Sequence, residues 1–241
     1  MKKHLMAAAA AVALMAPGVA DAAVVSFTSI TAAWQNPLPT GSVTGAGTTS
    51  TTVSWGVPAS QAGQSAYRFV AAPVPINVNV PPSPSALFDL GTFTHFNNPV
   101  QAPVMSTVSL NVMTQISVDS APIGMRNFLF NFTHEETPNQ TPCAFPSTTP
   151  CADRVSVITA SGTGTFSVED TDYTVEILGF RVTDNGPTLT QFITQENQAN
   201  NAVLVARVTA ASTVVPEPAS LALLGMGLLG LGYASRRRKA A

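Results

Sequence analysis

Lysine is missing from the whole interior of this 241-residue chain: none occurs between Lys3 and Lys239. Charge of either sign is scarce, since Asp, Glu, Lys and Arg together make 10% of the residues, against about 25% in an ordinary soluble protein. Between residues 23 and 215 five arginines (Arg68, Arg126, Arg154, Arg181, Arg207) stand against eleven Asp and Glu, a net charge of -6. A surface of that sign repels phosphate backbones and argues against nucleic acid as a partner. The same span lacks helix-period apolar runs, which excludes a parallel α/β fold for want of crossover helices. It also lacks a Gly-x-Ser-x-Gly elbow and a Walker-type phosphate loop, so the corresponding hydrolase and nucleotide-binding chemistries have no anchor.

Cysteine is limited to Cys143 and Cys151, in TPCAFPSTTPCAD. That spacing is far from C-x-x-C, so a redox motif is not indicated. Compartment is indicated by the start, MKKHLMAAAAAVALMAPGVADAAVV. Lys2 and Lys3 form a basic n-region, Leu5 to Met15 an apolar stretch, and Ala20-Asp21-Ala22 an A-x-A site, so residues 1–22 read as a secretory signal peptide cut after Ala22. The alternative is an uncleaved N-terminal membrane helix. Export puts the two cysteines in an oxidising compartment, where they are expected to form one disulfide, Cys143–Cys151, worth about 2–3 kcal/mol on the chain-entropy model.

The far end reads VPEPASLALLGMGLLGLGYASRRRKAA. Pro216-Glu217-Pro218, preceded by Val215, forbids helix and keeps the peptide extended. An uncharged segment follows from Ala219 to Ser235. As a helix it would reach about 25 Å, short of the roughly 30 Å hydrocarbon layer. Arg236-Arg237-Arg238-Lys239 then form a basic stop-transfer held on the cytoplasmic side. This order of short motif, apolar span and basic end resembles the PEP-CTERM sorting signal of exopolysaccharide-producing Gram-negative bacteria. The resemblance implies recognition and cleavage by a membrane-embedded exosortase, so that inner-membrane anchoring is transient and the protein goes on to the cell surface or extracellular matrix. A permanent single-span anchor is the alternative.

Between the two signals, alternation of period two dominates. Val108, Leu110, Val112, Ile116 and Val118 share one face of STVSLNVMTQISV, and Phe128, Phe130 and Phe132 share one face of NFLFNF. Further strands are expected over 24–34, 52–57, 66–70, 155–159, 165–168, 173–182 and 202–209, with a bulge at Gly179. Short strands separated by Pro, Gly and Asn turns predict an all-β, antiparallel β-sandwich of jelly-roll type. The expected organisation is signal peptide 1–22, extracellular β-sandwich 23–213 and sorting signal 214–241. Within the sandwich, 36–50 and 73–86 read as loose, the latter leaving room for an edge strand. Within the sorting signal, 215–218 is the motif, 219–235 the transmembrane helix and 236–239 the basic tail.

The body contains two histidines in matching settings, Phe93-Thr94-His95-Phe96-Asn97-Asn98-Pro99 and Phe132-Thr133-His134-Glu135-Glu136-Thr137-Pro138. One reading has each imidazole closing a strand by satisfying turn backbone groups before a proline. A sharper reading joins both histidines with Glu135, Glu136 or Asp89 in a metal or acid–base site. Against it, the position four after His134 is Pro138, so no zincin helix exists, and no catalytic residue or histidine-held metal is expected. Thr94-His95-Phe96-Asn97 is the pattern of the THxN group of PEP-CTERM proteins. The SWGVP stretch, FTHEETPN, the two cysteines followed by ADRV, and YTVE with GF resemble the choice-of-anchor K domain. That resemblance covers most of residues 53–209 and implies surface attachment without an established activity. His134 is followed by Glu-Glu-Thr-Pro rather than the Asn-Glu-Thr-Pro usual in that family.

No cofactor is expected, apart from calcium if Glu169-Asp170-Thr171-Asp172 or Asp184-Asn185-Gly186 supplies oxygen ligands. The sequence therefore points to a non-enzymatic, exosortase-processed structural protein of the surface or exopolysaccharide matrix. The alternative is a carbohydrate-binding or carbohydrate-modifying module that uses exposed faces of Trp34, Trp55, Tyr67 or Tyr173, although each of these aromatics is expected first as a buried core residue.

Overall fold

A computed structural model describes residues 23–80, 83–147, 150–158, 164–212 and 225–230. The strands, in chain order, are β1 (Ala23–Leu38), β2 (Ser42–Thr44), β3 (Ser50–Trp55), β4 (Val57–Pro58), β5 (Ser65–Ala71), β6 (Ile76–Val80), β7 (Phe88–Asn97) and β8 (Val100–Gln101). They continue with β9 (Thr107–Val118), β10 (Ala121–Glu135), β11 (Asp153–Ile158), β12 (Gly164–Val168), β13 (Thr171–Arg181), β14 (Gln191–Thr194) and β15 (Gln198–Ser212). Six strands form one sheet in the order β14-β11-β10-β9-β1-β6, and seven form another in the order β12-β13-β15-β7-β5-β3-β2. A short β4–β8 pair stands apart. The chain is thus all-β, with every ladder antiparallel.

Alternation builds the core. Every second residue of β9 is buried, from Val108 through Leu110, Val112, Thr114 and Ile116 to Val118. On β10 the same parity buries Phe128, Phe130, Phe132 and His134. The hairpin between them turns on Asp119 and Ser120, both at positive φ (49° and 68°), the geometry that matches strand twist in a two-residue loop. Asp119 Oδ1 also accepts the Val24 N–H at 2.8 Å, which ties the turn to the neighbouring β1. Aromatic side chains from both sheets meet in the middle. Trp34 of the six-stranded sheet packs on Tyr67 and Phe93 of the seven-stranded one, at ring separations of 5.9 and 6.2 Å.

The bulge expected at Gly179 is present: the β13–β15 register slips between Ile177 and Gly179. Its φ of 145° suits glycine, and a Cβ there would stand 2.1 Å from the Leu189 carbonyl oxygen. The two stretches read as loose both contain strand. Residues 36–50 hold the end of β1 and all of β2, and 73–86 hold β6, which pairs with β1 at the sheet edge. Composition missed the first because Ser, Thr and Gly mark turns as well as edge strands. The disulfide joins Cys143 to Cys151, with Cα atoms 5.3 Å apart.

The signal peptide over 1–22, the motif Val215 to Pro218 and the basic tail Arg236 to Lys239 lie outside the described residues. Of the expected membrane segment 219–235, residues 225–230 are described, and they form a short helix with exposed side chains. Among the described residues no helix is long and apolar enough to cross a membrane.

Candidate functional site: a buried cluster of imidazoles and carboxylates

Parity along two strands carries both histidines inward. On β7 the buried residues Phe93, His95 and Asn97 alternate, and on β10 Phe132 precedes His134 by two. Because β7 and β10 belong to different sheets, the matching Phe-Thr-His segments face each other across the core. The Phe93 and Phe132 rings stack 5.8 Å apart within 9° of parallel. One step further along, the imidazoles of His95 and His134 meet edge to face at 5.2 Å. The reading in which each imidazole satisfies turn backbone groups is therefore corrected. A residue two places after an inward phenylalanine points inward too, so the rings bond to side chains in the core.

His95 Nδ1 lies 2.8 Å from Thr194 Oγ1. That hydroxyl donates its proton to the Asp153 carbonyl at 3.3 Å, so it accepts from His95 Nδ1–H and leaves Nε2 as a bare lone pair. His134 Nδ1 lies 2.6 Å from the Tyr67 hydroxyl, and its Nε2 lies 3.1 Å from Glu136 Oε2. Trp55 walls the cluster, its indole stacked on His95 at 5.6 Å. Asp153 sits at the start of β11, just after Cys151 and Ala152, and all three are wholly buried. Its Oδ1 accepts two hydrogen bonds from Thr137, from the backbone N–H at 2.8 Å and the hydroxyl at 3.1 Å. Its Oδ2 accepts none. Glu196 follows the inward residues Phe192 and Thr194 by the same two-residue step, and it is 5% exposed with neither carboxylate oxygen bonded.

Two groupings share Asp153. The donor atoms of His95, His134 and Asp153 lie within 4.8 Å of one another, and so do those of Glu136, Asp153 and Glu196. Burial sets their acid–base behaviour. It pushes the Glu136 carboxyl up to about 7. Burial and then the Glu136 charge push Asp153 up to about 6. Burial and then the charges of Asp153 and Glu136 push Glu196 up to about 7. Burial lowers His134 to about 4 and takes His95 well below the ordinary imidazole range. At neutral pH both imidazoles are accordingly neutral.

A carboxylate raised in the folded state costs stability above its folded pKa and costs nothing below its unfolded one. Glu196→Gln should therefore stabilise the protein at pH 8 in the presence of chelator, by about 2 kcal/mol. The gain should shrink as pH falls through 7 and vanish near 4.5. Urea unfolding of both proteins at pH 8 and pH 4.5 checks this, and an equal gain at both values would rule out the ionisation origin.

The other residues singled out in the sequence divide clearly. The Thr94 hydroxyl donates to Asn201 Oδ1 at 2.7 Å, and Asn97 Nδ2 donates to the Thr194 carbonyl at 3.0 Å. Phe96 is half-buried, with the Arg68 guanidinium 4.9 Å above its ring. Thr94-His95-Phe96-Asn97 thus sends His95 and Asn97 to the cluster and Phe96 outward. Glu135 points out and pairs with Arg154, while Asp89 pairs with Arg181, so neither belongs to the site. Glu169, Asp170, Asp184 and Asn185 stay exposed and contribute to no convergent ligand group among the described residues. Trp34, Trp55, Tyr67 and Tyr173 are between 0 and 6% exposed. Those aromatics are core, as first expected of each, and offer no face to a sugar ring. Sequence reasoning missed Asp153, Glu196 and Thr194, and singled out Tyr67 for a different role. The available signal was parity: Asp153, Val155 and Val157 alternate, as do Phe192, Thr194 and Glu196, which places acids at inward positions.

Fold and site together define a two-sheet, disulfide-bonded β domain with His95, His134, Asp153 and Glu196 buried inside and Glu136 at the cluster's half-buried edge. Residues 214–239 match the family model of the PEP-CTERM protein-sorting motif. The motif marks the chain as an exported, exosortase-processed protein of the Gram-negative cell surface. The match covers the tail alone, and no curated protein matches the chain in a sequence search.

Proposed function

We propose that this is a structural protein of the cell surface or exopolysaccharide matrix, without enzymatic activity, whose body is a THxN-type, choice-of-anchor K-like β-sandwich of jelly-roll kind. Its N-terminal segment is a signal peptide, and its apolar tail is a transient inner-membrane helix removed by exosortase. The observation that carries the reading is the sorting motif at 214–239, appended directly to an all-β body. Two further features support the absence of catalysis. Most of the acid–base groups are closed off, His95 and Asp153 being wholly buried, Glu196 5% and His134 6% exposed, with Glu136 alone half-buried. A surface depression lined by Thr92, Arg181, Thr183, Asp184 and Asn201 has no aromatic wall and no paired acid and base. A body with few charges and many Ser and Thr also suits a hydrated polysaccharide environment.

Fractionation of producing cells tests the reading. The processed protein should sediment with the extracellular polysaccharide and be released by glycosidase digestion of that material. Recovery of the protein in the cytosol, or of turnover of matrix glycans by the purified protein, would overturn it.

A further inference from the structure

Every buried side-chain polar atom left without a hydrogen-bond partner among the described residues belongs to one place. Trp55 Nε1, His95 Nε2, Asn97 Oδ1, Asp153 Oδ2 and both oxygens of Glu196 all line the His95–His134 cluster or adjoin it. Each such group costs about 1–3 kcal/mol unless something completes its bonding. All but the Trp55 N–H present electron pairs that suit a metal ion, and a buried carboxylate is tolerated when it is paired or coordinates a metal. No arginine of the described residues hydrogen-bonds to any of the five ionisable groups. The nearest in sequence, Arg154, is turned outward to Glu135. What the cluster lacks is a compact cation.

We propose that the protein binds a divalent transition-metal ion between its two sheets, through His95, His134 and Asp153, with Glu136 and Glu196 supplying further carboxylate oxygens. Two imidazoles with carboxylates form a donor set for zinc(II) or a neighbouring late first-row ion, whereas calcium and magnesium take oxygen ligands. The surrounding hydrogen bonds have the form that metal ligands require. Thr194 fixes the His95 tautomer from the far side of the ring and leaves Nε2 free. Thr137 holds one oxygen of Asp153 with two hydrogen bonds and leaves the other free. On His134, rotation of the Tyr67 hydroxyl turns Nδ1 into a donor and leaves Nε2 as the ligand atom beside Glu136. Such outer partners orient ligands and typically contribute 10–100-fold in affinity.

The ion would act as a cross-link. His95 comes from the seven-stranded sheet, His134 and Asp153 from the six-stranded one, and Glu196 from the turn between β14 and β15. One ion would thus tie together both layers, the β14–β15 turn and the end of the disulfide loop. This site goes beyond the surface role proposed above and does not depend on it.

The test uses the full chain, expressed for export, purified oxidised in mild detergent, stripped with EDTA and titrated with zinc chloride. The expected result is about one zinc per chain with a raised melting temperature, and calcium at least 100-fold weaker. Cobalt(II) should give a visible absorption band of nitrogen and oxygen ligation. His95→Gln and Asp153→Asn should abolish stoichiometric binding, and Thr194→Val should weaken it about 10–100-fold. Asp89→Asn, an exposed ion-pair change, should leave it intact. Where a ligand variant fails to fold, the cobalt band and the Glu196→Gln titration decide, since that variant should fold and bind at least tenfold more weakly. Absence of stoichiometric zinc on the unmodified chain, or binding unchanged in His95→Gln and Asp153→Asn, would overturn the proposal.

Discussion

Replacing Pro216, Glu217 and Pro218 together with alanine should leave the chain at its unprocessed mass in the membrane fraction, with the processed fraction down at least tenfold. The unaltered protein in the same cells should lose Ser220 to Ala241. The physical ground is local. Two prolines flanking one glutamate fix φ, remove two N–H donors and bar helix from running through the peptide. Alanine is the strongest helix former, so the triple change removes the recognised side chains and lifts the bar to helix across the cleavage region. Neutralising Arg236, Arg237, Arg238 and Lys239 should fail differently. The apolar segment is brief, so on the proposed route through the inner membrane loss of the basic cluster weakens retention itself and the chain should escape the membrane unprocessed. Intact-mass measurement of membrane and medium fractions separates the two outcomes. A triple-alanine protein processed like the parent would show that the Pro-Glu-Pro peptide is not what the sorting enzyme reads.

The second large effect is expected in the core. Phe132→Ala should destabilise the folded body by about 3–5 kcal/mol, which corresponds to a fall in melting temperature on the order of 10 °C for a domain of this size. Phe132 is fully buried and packs at once on Trp34 at 5.5 Å, Phe93 at 5.8 Å and Phe180 at 6.2 Å, so the vacated space has walls in both sheets. Those walls belong to paired strands and cannot collapse inward. Leu129→Ala is the companion. Leu129 lies three residues earlier on the same strand with the opposite parity and is 37% exposed, so its loss should cost less than about 1 kcal/mol. Urea unfolding of the two variants against the parent checks both values. Equal losses would mean that β10 is not oriented as described.

The strands on which this contrast rests were legible because period two is a local signal. NFLFNF and STVSLNVMTQISV declare their buried faces without reference to any partner. Which strands pair was not legible in the same way. The chain gives no local sign that β7 and β10 lie in opposite sheets, and without that the echo of the two Phe-Thr-His segments has no spatial meaning. Their polar neighbours suggested a strand end, whereas the parity of Phe93 with His95 and of Phe132 with His134 already implied a shared inward face. Glu136 was singled out from its proximity to His134, and it belongs to the cluster. Glu135 and Asp89 were singled out on the same ground, and each instead meets an arginine on the surface. Asp153 was hidden by its neighbours, since an acid directly after a cysteine loop reads as part of a solvated turn. Its place at the head of an alternating valine strand told the other way. Trp34, Trp55 and Tyr67 were weighed as sugar platforms because composition cannot tell a surface aromatic from a core one. Only packing against both sheets settles it.

The last strand of the seven-stranded sheet, β15, closes at Ser212, and the matched motif begins at residue 214. Whatever path the intervening residues take, the four Cα steps from Ser212 to Pro216 can span no more than about 14 Å. The sorting enzyme that reads the motif must therefore work within about that distance of the last strand of the β body. The size and tilt of that body then decide which enzymes can approach the peptide, and grafting a flexible spacer after Ser212 would relax that selection without altering a single recognised residue.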